Sequence, residues 1–453
     1  MPIKPVFLFS DLLLLLLIIG IFALVMFNRH SEPMIAAWRR VLANRVGMAS
    51  MTLLLLFAAI GLLDSLHYRQ RLADQQGAAA NYSVEVLSAL DALLMPLKAN
   101  TEKTYSAPLA TNSFAMESGD DGKRSFPRLQ YGGAQLGGDL DQHALDVAQR
   151  VVKGATVGAA AWLLLLALIW RLDRQQPEKR APRMKGLRPM LAVLMLVLVT
   201  GGSVTALAQA YHVLGTDKVG QDVLYLSLKS IRTGLLLGTL TTLIMLPAAI
   251  LLGILAGYAG GWIDDLIQYL YTTLNSIPDV LLIAAAILMM QVVIDTHLAW
   301  FSSAAERADA RLLALCLIMG VTSWTGLCRL LRAETLKLRE LEYVQAAQAF
   351  GASRLTIMVR HLLPNLIHIV LITTVMDFSR LVLAEAVLSY VGVGVDPSTI
   401  SFGTMIDAAR MELAREPMVW WSLMAAFGFM FALVLAANLF ADAVRDAFDP
   451  KSA

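Results

Sequence analysis

The sequence predicts an all-α integral membrane protein of about nine transmembrane helices. Three observations carry that prediction. The 453 residues are 57% hydrophobic and only 16% charged, whereas soluble domains are about 45–50% apolar and about 25% charged. The apolar residues fall into blocks near the ~17–25 residues that cross a bilayer. Lys and Arg gather in three of the short segments between those blocks. The blocks lie at about 7–27, 46–63, 154–170, 189–210, 233–258, 267–293, 312–328, 367–391 and 419–440.

The first block follows Lys4, but no small-residue cleavage site precedes the basic stretch that begins at Arg29, so it reads as a retained span rather than a signal peptide. The 28–45 loop carries Arg29, Arg39, Arg40 and Arg45. After the second span comes a long segment, 64–153, whose charges nearly balance. Within it, SVEVLSALDALLMPL at 83–97 reads as an amphipathic helix, and the Gly-, Asp- and Ser-containing stretch near 117–139 as a loop. The 171–188 loop carries Arg171, Arg174, Lys179, Arg180, Arg183, Lys185 and Arg188 against only Asp173 and Glu178. The 329–366 loop carries Arg329, Arg332, Lys337, Arg339, Arg354 and Arg360. With nine spans these three loops share one side. The positive-inside rule then places the N-terminus and the 64–153 segment outside and the C-terminus in the cytoplasm.

The 329–366 loop contains EYVQAAQAFGASRLTIMVRHLLPN, residues 342–365. Glu342 to Phe350 reads as a short helix rich in Ala and Gln. Gly351 stands where a left-handed helix end is wanted. Leu355, Met358, Val359, Leu362 and Leu363 fall on one face of a second helix, which Pro364 ends or joins to the next span. Ala346 and Ala347 are small enough for a partner to approach closely. On physical grounds alone, a docking platform and an amphipathic loop resting on headgroups are both open.

Ionisable residues inside spans are functional candidates by default. Asp279 follows Pro278 in the sixth span without a local basic partner and reads as facing a cavity. Asp377 and Arg380 are three apart in the eighth, so they pair with each other or line a path. Glu385, in the same span, either lines a path or holds an external loop. His212 and His361 are not spaced as a metal site; they read as a loop residue and a surface or docking residue. Cys316 and Cys328 both fall in the seventh span and read as small packing residues. A net charge of +2 gives no field that suggests nucleic acid. No GxxxxGK[ST] phosphate loop is present, nor a nucleophile–base cluster, so the residues point to transport without catalysis or an ATPase site of the chain's own.

The 342–365 segment resembles the cytoplasmic EAA loop of ABC-importer permeases. It has Ala346-Ala347, three residues, Gly351, Ile357, then Leu363-Pro364, with Gln345 at the position of the family's Glu. Three further stretches resemble the oligopeptide and dipeptide subfamily, in order. HVLGTDKVGQDVL at 212–224 is similar to the external stretch after the first core span, with Gln221 in place of the usual Arg. There Gly215 and Gly220 permit tight turns, and Asp217 and Asp222 can tie them to backbone N–H groups. LAEAVLSYVGVGV at 383–395, followed by Phe402-Gly403, and NLFADAVRDAFDP at 438–450 resemble the remaining signatures. The resemblance covers about 189–453.

That resemblance implies a six-span type I ABC-importer permease core in the bacterial cytoplasmic (inner) membrane. It implies di- or oligopeptides, or peptide-like compounds, as solute, translocated by alternating access. The implied partners are a second homologous permease, two cytoplasmic ATPase subunits that bind the ATP and magnesium, and a periplasmic solute-binding protein; no cofactor is implied on this chain. Gln345, Ala346, Ala347, Gly351, Ile357, His361 and Pro364 are the implied ATPase-coupling positions, and Gly215, Thr216, Asp217, Gly220 and Asp222 the external loop of the family. Residues 1–188 depart from the family as an N-terminal extension. Because 37–63 itself looks like a family start, 64–188 can equally be an insertion. The extra external segment is then either an accessory domain or a docking aid. The competing class is an ion-gradient-driven secondary transporter, for which Asn275-Ser276-Ile277-Pro278-Asp279 would be a broken helix near the midplane.

Overall fold

The computed structural model describes residues 3–28, 32–71, 82–118, 124–137, 140–174, 180–301 and 303–448. Arg29 and Lys179 of the basic loops, parts of the 117–139 stretch and the last two residues of the 438–450 signature lie outside them. The chain forms two compact units, each built from separated stretches: Met1–Phe7, Arg39–Thr233 and Ile400–Ala436 in one, Leu8–Trp38, Gly234–Thr399 and Ala437–Ala453 in the other.

In the first unit, β1 (Ile3–Val6), β2 (His67–Gln70) and β3 (Leu87–Ser88) form a small antiparallel sheet beside the span α3 (Arg45–Asp64). The helix expected over 83–97 is shorter and in two pieces, α4 (Ala89–Leu93) and α5 (Met95–Ala99). Ser88 and Asp91 form a capping box that starts the first piece late. Pro96 lacks the N–H that would continue it and opens the second piece instead. The third span is longer than its apolar run: α6 (His143–Arg174) begins in the polar stretch HALDVAQRVVK, where Asp146 accepts hydrogen bonds from Arg150 at 2.9 Å and from Tyr211 at 2.8 Å. Hydropathy registers only the part that meets lipid. The next span, α7 (Arg180–Ala208), packs against α6 backbone to backbone. A Cβ on Gly154 would stand 2.3 Å from the Gly202 carbonyl oxygen, and one on Gly158 would stand 2.1 Å from that of Leu198. Only glycine permits this approach.

The helix α8 (Val223–Ala259) opens in the first unit and runs for 37 residues. At ~1.5 Å per residue that is about 55 Å, against a hydrocarbon thickness of ~30 Å. The first unit also holds α16 (Phe402–Arg410), which a Ser401 capping box initiates, and the start of α17 (Trp421–Phe448).

In the second unit, α1 (Phe9–Asn28) docks on α11 (Ala304–Ser323), with the Ser10 backbone N–H donating to Asp309 Oδ2 at 3.0 Å. The sixth predicted span, 267–293, needs correction. It is two helices, α9 (Gly261–Asn275) and α10 (Asp279–Thr296), broken at Ser276–Pro278. Gln268, Thr272, Thr273 and Asn275 make α9 amphipathic, and proline disfavours helix in the residue before it. The seventh span is likewise two helices, α11 and α12 (Thr325–Leu338), meeting at Trp324. The sequence continues through α13 (Glu342–Ala349), α14 (Arg354–Thr356) and α15 (Leu363–Tyr390). Among the described residues eight segments are long and apolar enough to cross a membrane, and α1 is a further, twenty-residue apolar helix. The molecule is thus an all-α integral membrane protein.

Candidate functional site

The 342–365 segment stands on the second unit's core and ends in an exposed tip. Val344, Ile357, Leu362 and Leu366 are buried against Leu327 and Leu331 of α12 and Ile254 of α8. Each such side chain, fully buried, contributes ~1.5–3 kcal/mol to holding the segment down. Of the other positions, Gln345, Ala346 and Gly351 are exposed and Phe350 is 91% exposed, while Ala347, packed against the core, and His361 are half-buried. Gly351 has φ +76°. The Gly351 N–H donates to the Gln348 carbonyl and the Ala352 N–H to the Ala347 carbonyl, both at 3.0 Å. These two bonds close α13 as a Schellman motif. Gln345 replaces the family's Glu without disturbing the loop; its side-chain amide donates to the Glu340 carbonyl at 3.2 Å.

The second half corrects the sequence expectation. Residues Ile357–Leu362 form a π-helical turn that runs on into α15, so Pro364 lies at the junction with the next span, the second of the two roles expected for it, rather than ending the helix. Pro364 has no N–H to offer the Arg360 carbonyl, and its ring would strike that carbonyl in an α-helix. A turn with i→i+5 bonding relieves both problems. It also shifts the phase: Ile357 and Leu362, five apart, are buried, while Leu355 and Val359 of the expected apolar face are exposed.

The 212–222 loop lies in the first unit and is folded almost entirely by its own polar groups. Gly215 and Gly220 have φ +75° and +77°. Asp217 Oδ1 accepts from the backbone N–H groups of Val219 and Gln221 at 3.0 and 2.8 Å. Asp222 Oδ1 accepts from Leu224 and Tyr225 N–H at 2.8 and 3.2 Å, capping α8. Thr216 is buried and donates to the Thr104 carbonyl at 2.9 Å, while its own carbonyl accepts from Trp421 Nε1 at 2.9 Å. Gln221 takes part through its backbone, so the loss of the family's Arg leaves this fold intact.

The sequence reading missed what grips this loop. His212 is buried between two carboxylates, with Nδ1 2.8 Å from Asp222 Oδ2 and Nε2 3.5 Å from Glu102 Oε1. Glu102 belongs to the long extra segment. It also accepts from the N–H groups of Gln130, Tyr131 and Gly132 at 2.9, 2.8 and 3.0 Å. Burial pulls the imidazole's pKa down, but Asp222 and Glu102 outweigh it and raise His212 to about 9. Burial pushes Glu102 up, but the hydrogen bonds from His212 and the three backbone groups bring it to about 2. The pair is therefore ionised at neutral pH. No spacing rule joins residues 102 and 212, so the sequence carried no signal for it.

Residues 249–453 match the family of binding-protein-dependent transport system inner membrane components. The oligopeptide transport system permease protein OppC of Mycobacterium tuberculosis is 30% identical over 241 residues, 53% of this chain and 76% of the relative. The glutathione transport system permease protein GsiD of Pectobacterium atrosepticum is 30% identical over 240 residues, covering 53% and 73%. OppC of Bacillus subtilis is 28% identical over 240 residues, covering 53% and 72%. The chain belongs to the binding-protein-dependent permease family. It is a multi-pass inner-membrane permease subunit of an ABC importer.

Among the candidate path residues of this permease, Asp377 and Arg380 are brought together. Asp279 is exposed in the first turn of α10, at the helix break where that candidate span begins. Its carboxylate there suits the positive end of the helix dipole. Arg380 Nε donates to Asp377 Oδ1 at 3.2 Å on α15, so these two pair within one helix face. Glu385, 1% exposed, accepts from Ser389 Oγ at 2.8 Å. Arg311 bridges Asp295 and Asp396 at 2.5 Å each, tying the end of α10 to the segment after α15.

Proposed function

We propose that this permease imports di- or oligopeptides, or peptide-like compounds, by alternating access driven by separate ATPase subunits. It works with a second homologous permease, two cytoplasmic ATPase subunits and a periplasmic binding protein. Its N-terminus is external and its C-terminus cytoplasmic, as the basic loops require. The reading rests above all on the 342–365 segment, whose base is sunk in the core and whose tip, Gln348 to Gly351, is open. A lever must be stiff at one end and available at the other, and this segment is both. The relatives named for oligopeptide and glutathione transport support a peptide-like solute.

The test is purification of the whole transporter from its native membrane in mild detergent, followed by ATP hydrolysis with and without binding protein and peptide. Two ATPase copies and a second permease are expected to co-purify. Gly351→Val, which forces a β-branched residue into positive φ, is expected to cut stimulated hydrolysis about tenfold, by the ~1.4 kcal/mol that a tenfold change represents. A secondary transporter remains the second reading because the chain breaks at Ser276–Pro278, as such a mechanism needs. Uptake driven by a proton gradient without nucleotide would establish it and overturn the ATP-driven one.

A further inference from the structure

The polar residues at the start of α8 form one stripe. Asp222, Tyr225, Lys229 and Arg232 follow each other at intervals of three, four and three, which is one helical face. Every one of them is held by the N-terminal region. Asp222 meets Glu102 through His212. Tyr225 Oη donates to Asp91 Oδ1 at 2.8 Å. Lys229 Nζ lies 2.8 Å from Asp91 and 3.2 Å from Asp64, both carboxylates being buried. Arg232 Nε donates to Ser65 Oγ at 3.1 Å. Ser88 Oγ completes the cluster by donating to Asp64 at 2.6 Å. The backbones close the same joint: Glu102 N–H donates to the Gly220 carbonyl at 2.9 Å, and a Cβ on Gly220 would stand 1.8 Å from the Glu102 carbonyl oxygen.

An accessory domain on a tether does not bury two ion-pair clusters against the helix it accompanies. Such groups are costly to bury unless their partners stay in place. The apolar run of α8 begins only at about residue 233, so the stripe belongs to the part of the helix that extends beyond the bilayer. We propose that residues 64–71 and 82–106 are a fixed clamp on this projection, with Asp91 and Glu102 as positioning residues, so that the N-terminal region is a working part of the permease. Through the clamp, the projection of α8 and the 212–222 loop move as one piece with residues 64–71 and 82–106 in every state of the cycle. This rests on the proposed transport function, and the test separates the two.

Ser106 and Thr216 have hydroxyl oxygens 3.0 Å apart. Both are replaced by cysteine in the full chain, and the assembled transporter is reconstituted in vesicles with its binding protein and labelled trialanine. Near-complete cross-linking under mild oxidant is expected, with uptake within twofold of the same protein after reduction. Failure to cross-link overturns the clamp, and so does uptake that is lost on oxidation and regained on reduction, because the segment is then a moving lid. Glu102→Gln is expected to lower Vmax per folded transporter about fivefold with KM for trialanine unchanged. It should also speed backbone hydrogen exchange across 212–225 at least tenfold. An unchanged Vmax per folded molecule would remove the positioning role. If the reduced double-cysteine protein and the wild type both fail to take up trialanine, the solute reading fails; the exchange measurement alone then decides whether the clamp exists.

Discussion

Two glycines show how differently one residue type serves this molecule. Gly220 and Gly351 both adopt positive φ. Around Gly220 there is no room; around Gly351 nothing lies within 4 Å of an added Cβ. Gly351→Ala therefore carries only the left-handed strain of ~1–2 kcal/mol, and the melting temperature in detergent is expected to fall by a few degrees at most. Gly220→Ala adds a backbone clash to the same strain. It is expected to cost more than ~3 kcal/mol, seen as proteolysis of the 64–137 region in intact vesicles. At this scale the sequence was legible where a motif names the residue and its role is local. The turns at Gly215, Gly220 and Gly351 and the backbone-tying carboxylates Asp217 and Asp222 could be read directly. His212 could not, because its partner Glu102 stands 110 positions away and burial, not spacing, makes the pair.

At the scale of elements, the sequence locates helices by apolar runs and errs where a helix is not uniformly apolar. The start of α6 at His143, the long overhang of α8 before its apolar run and the split of 267–293 into α9 and α10 all involve amphipathic or broken stretches. The π turn at Ile357–Leu362 is an error of another kind, since an assumed α period put Leu355 and Val359 on the buried face and missed Ile357, while Met358, Leu362 and Leu363 do meet the core. Pro364 is its cause, which makes a prediction. Pro364→Ala restores the missing N–H and removes the ring, so the turn can close as an α-helix. That rotates everything from Glu342 to Leu362 relative to α15 by roughly one residue, or ~100°. The protein is expected to fold and reach the membrane normally. Peptide-stimulated ATP hydrolysis should fall at least fivefold, and a cysteine placed at Val359 should lose reactivity toward a water-soluble maleimide. Normal coupling in this variant would show that the register of the segment does not matter.

For the whole molecule, the ionised pair between Glu102 and His212 sets a pH window. His212 is raised, so its contribution is complete below its ordinary value near 6.5 and is lost as pH rises through about 9. Glu102 is lowered, so its contribution is complete above its ordinary value near 4.5 and is lost as pH falls toward about 2. The first unit is therefore expected to be most stable between about pH 4.5 and 6.5 and to loosen progressively toward pH 9, as protease resistance of residues 64–137 against pH will show. His212→Gln should flatten the alkaline side of that profile. A profile that stays unchanged in this variant would place the loss elsewhere.

The clamp across α8 also dictates an order of events at birth. Asp91 lies 138 residues before Lys229 in the chain. A ribosome adds ~5–20 residues per second, so Asp91 is made some ~7–28 s before the lysine that neutralises it. In that interval Asp64 and Asp91 lack the lysine, and Glu102 the histidine, that later pair with them. The segment is therefore a folding client that waits for its own membrane helix, and it is most open to proteases and chaperones while the chain is still growing.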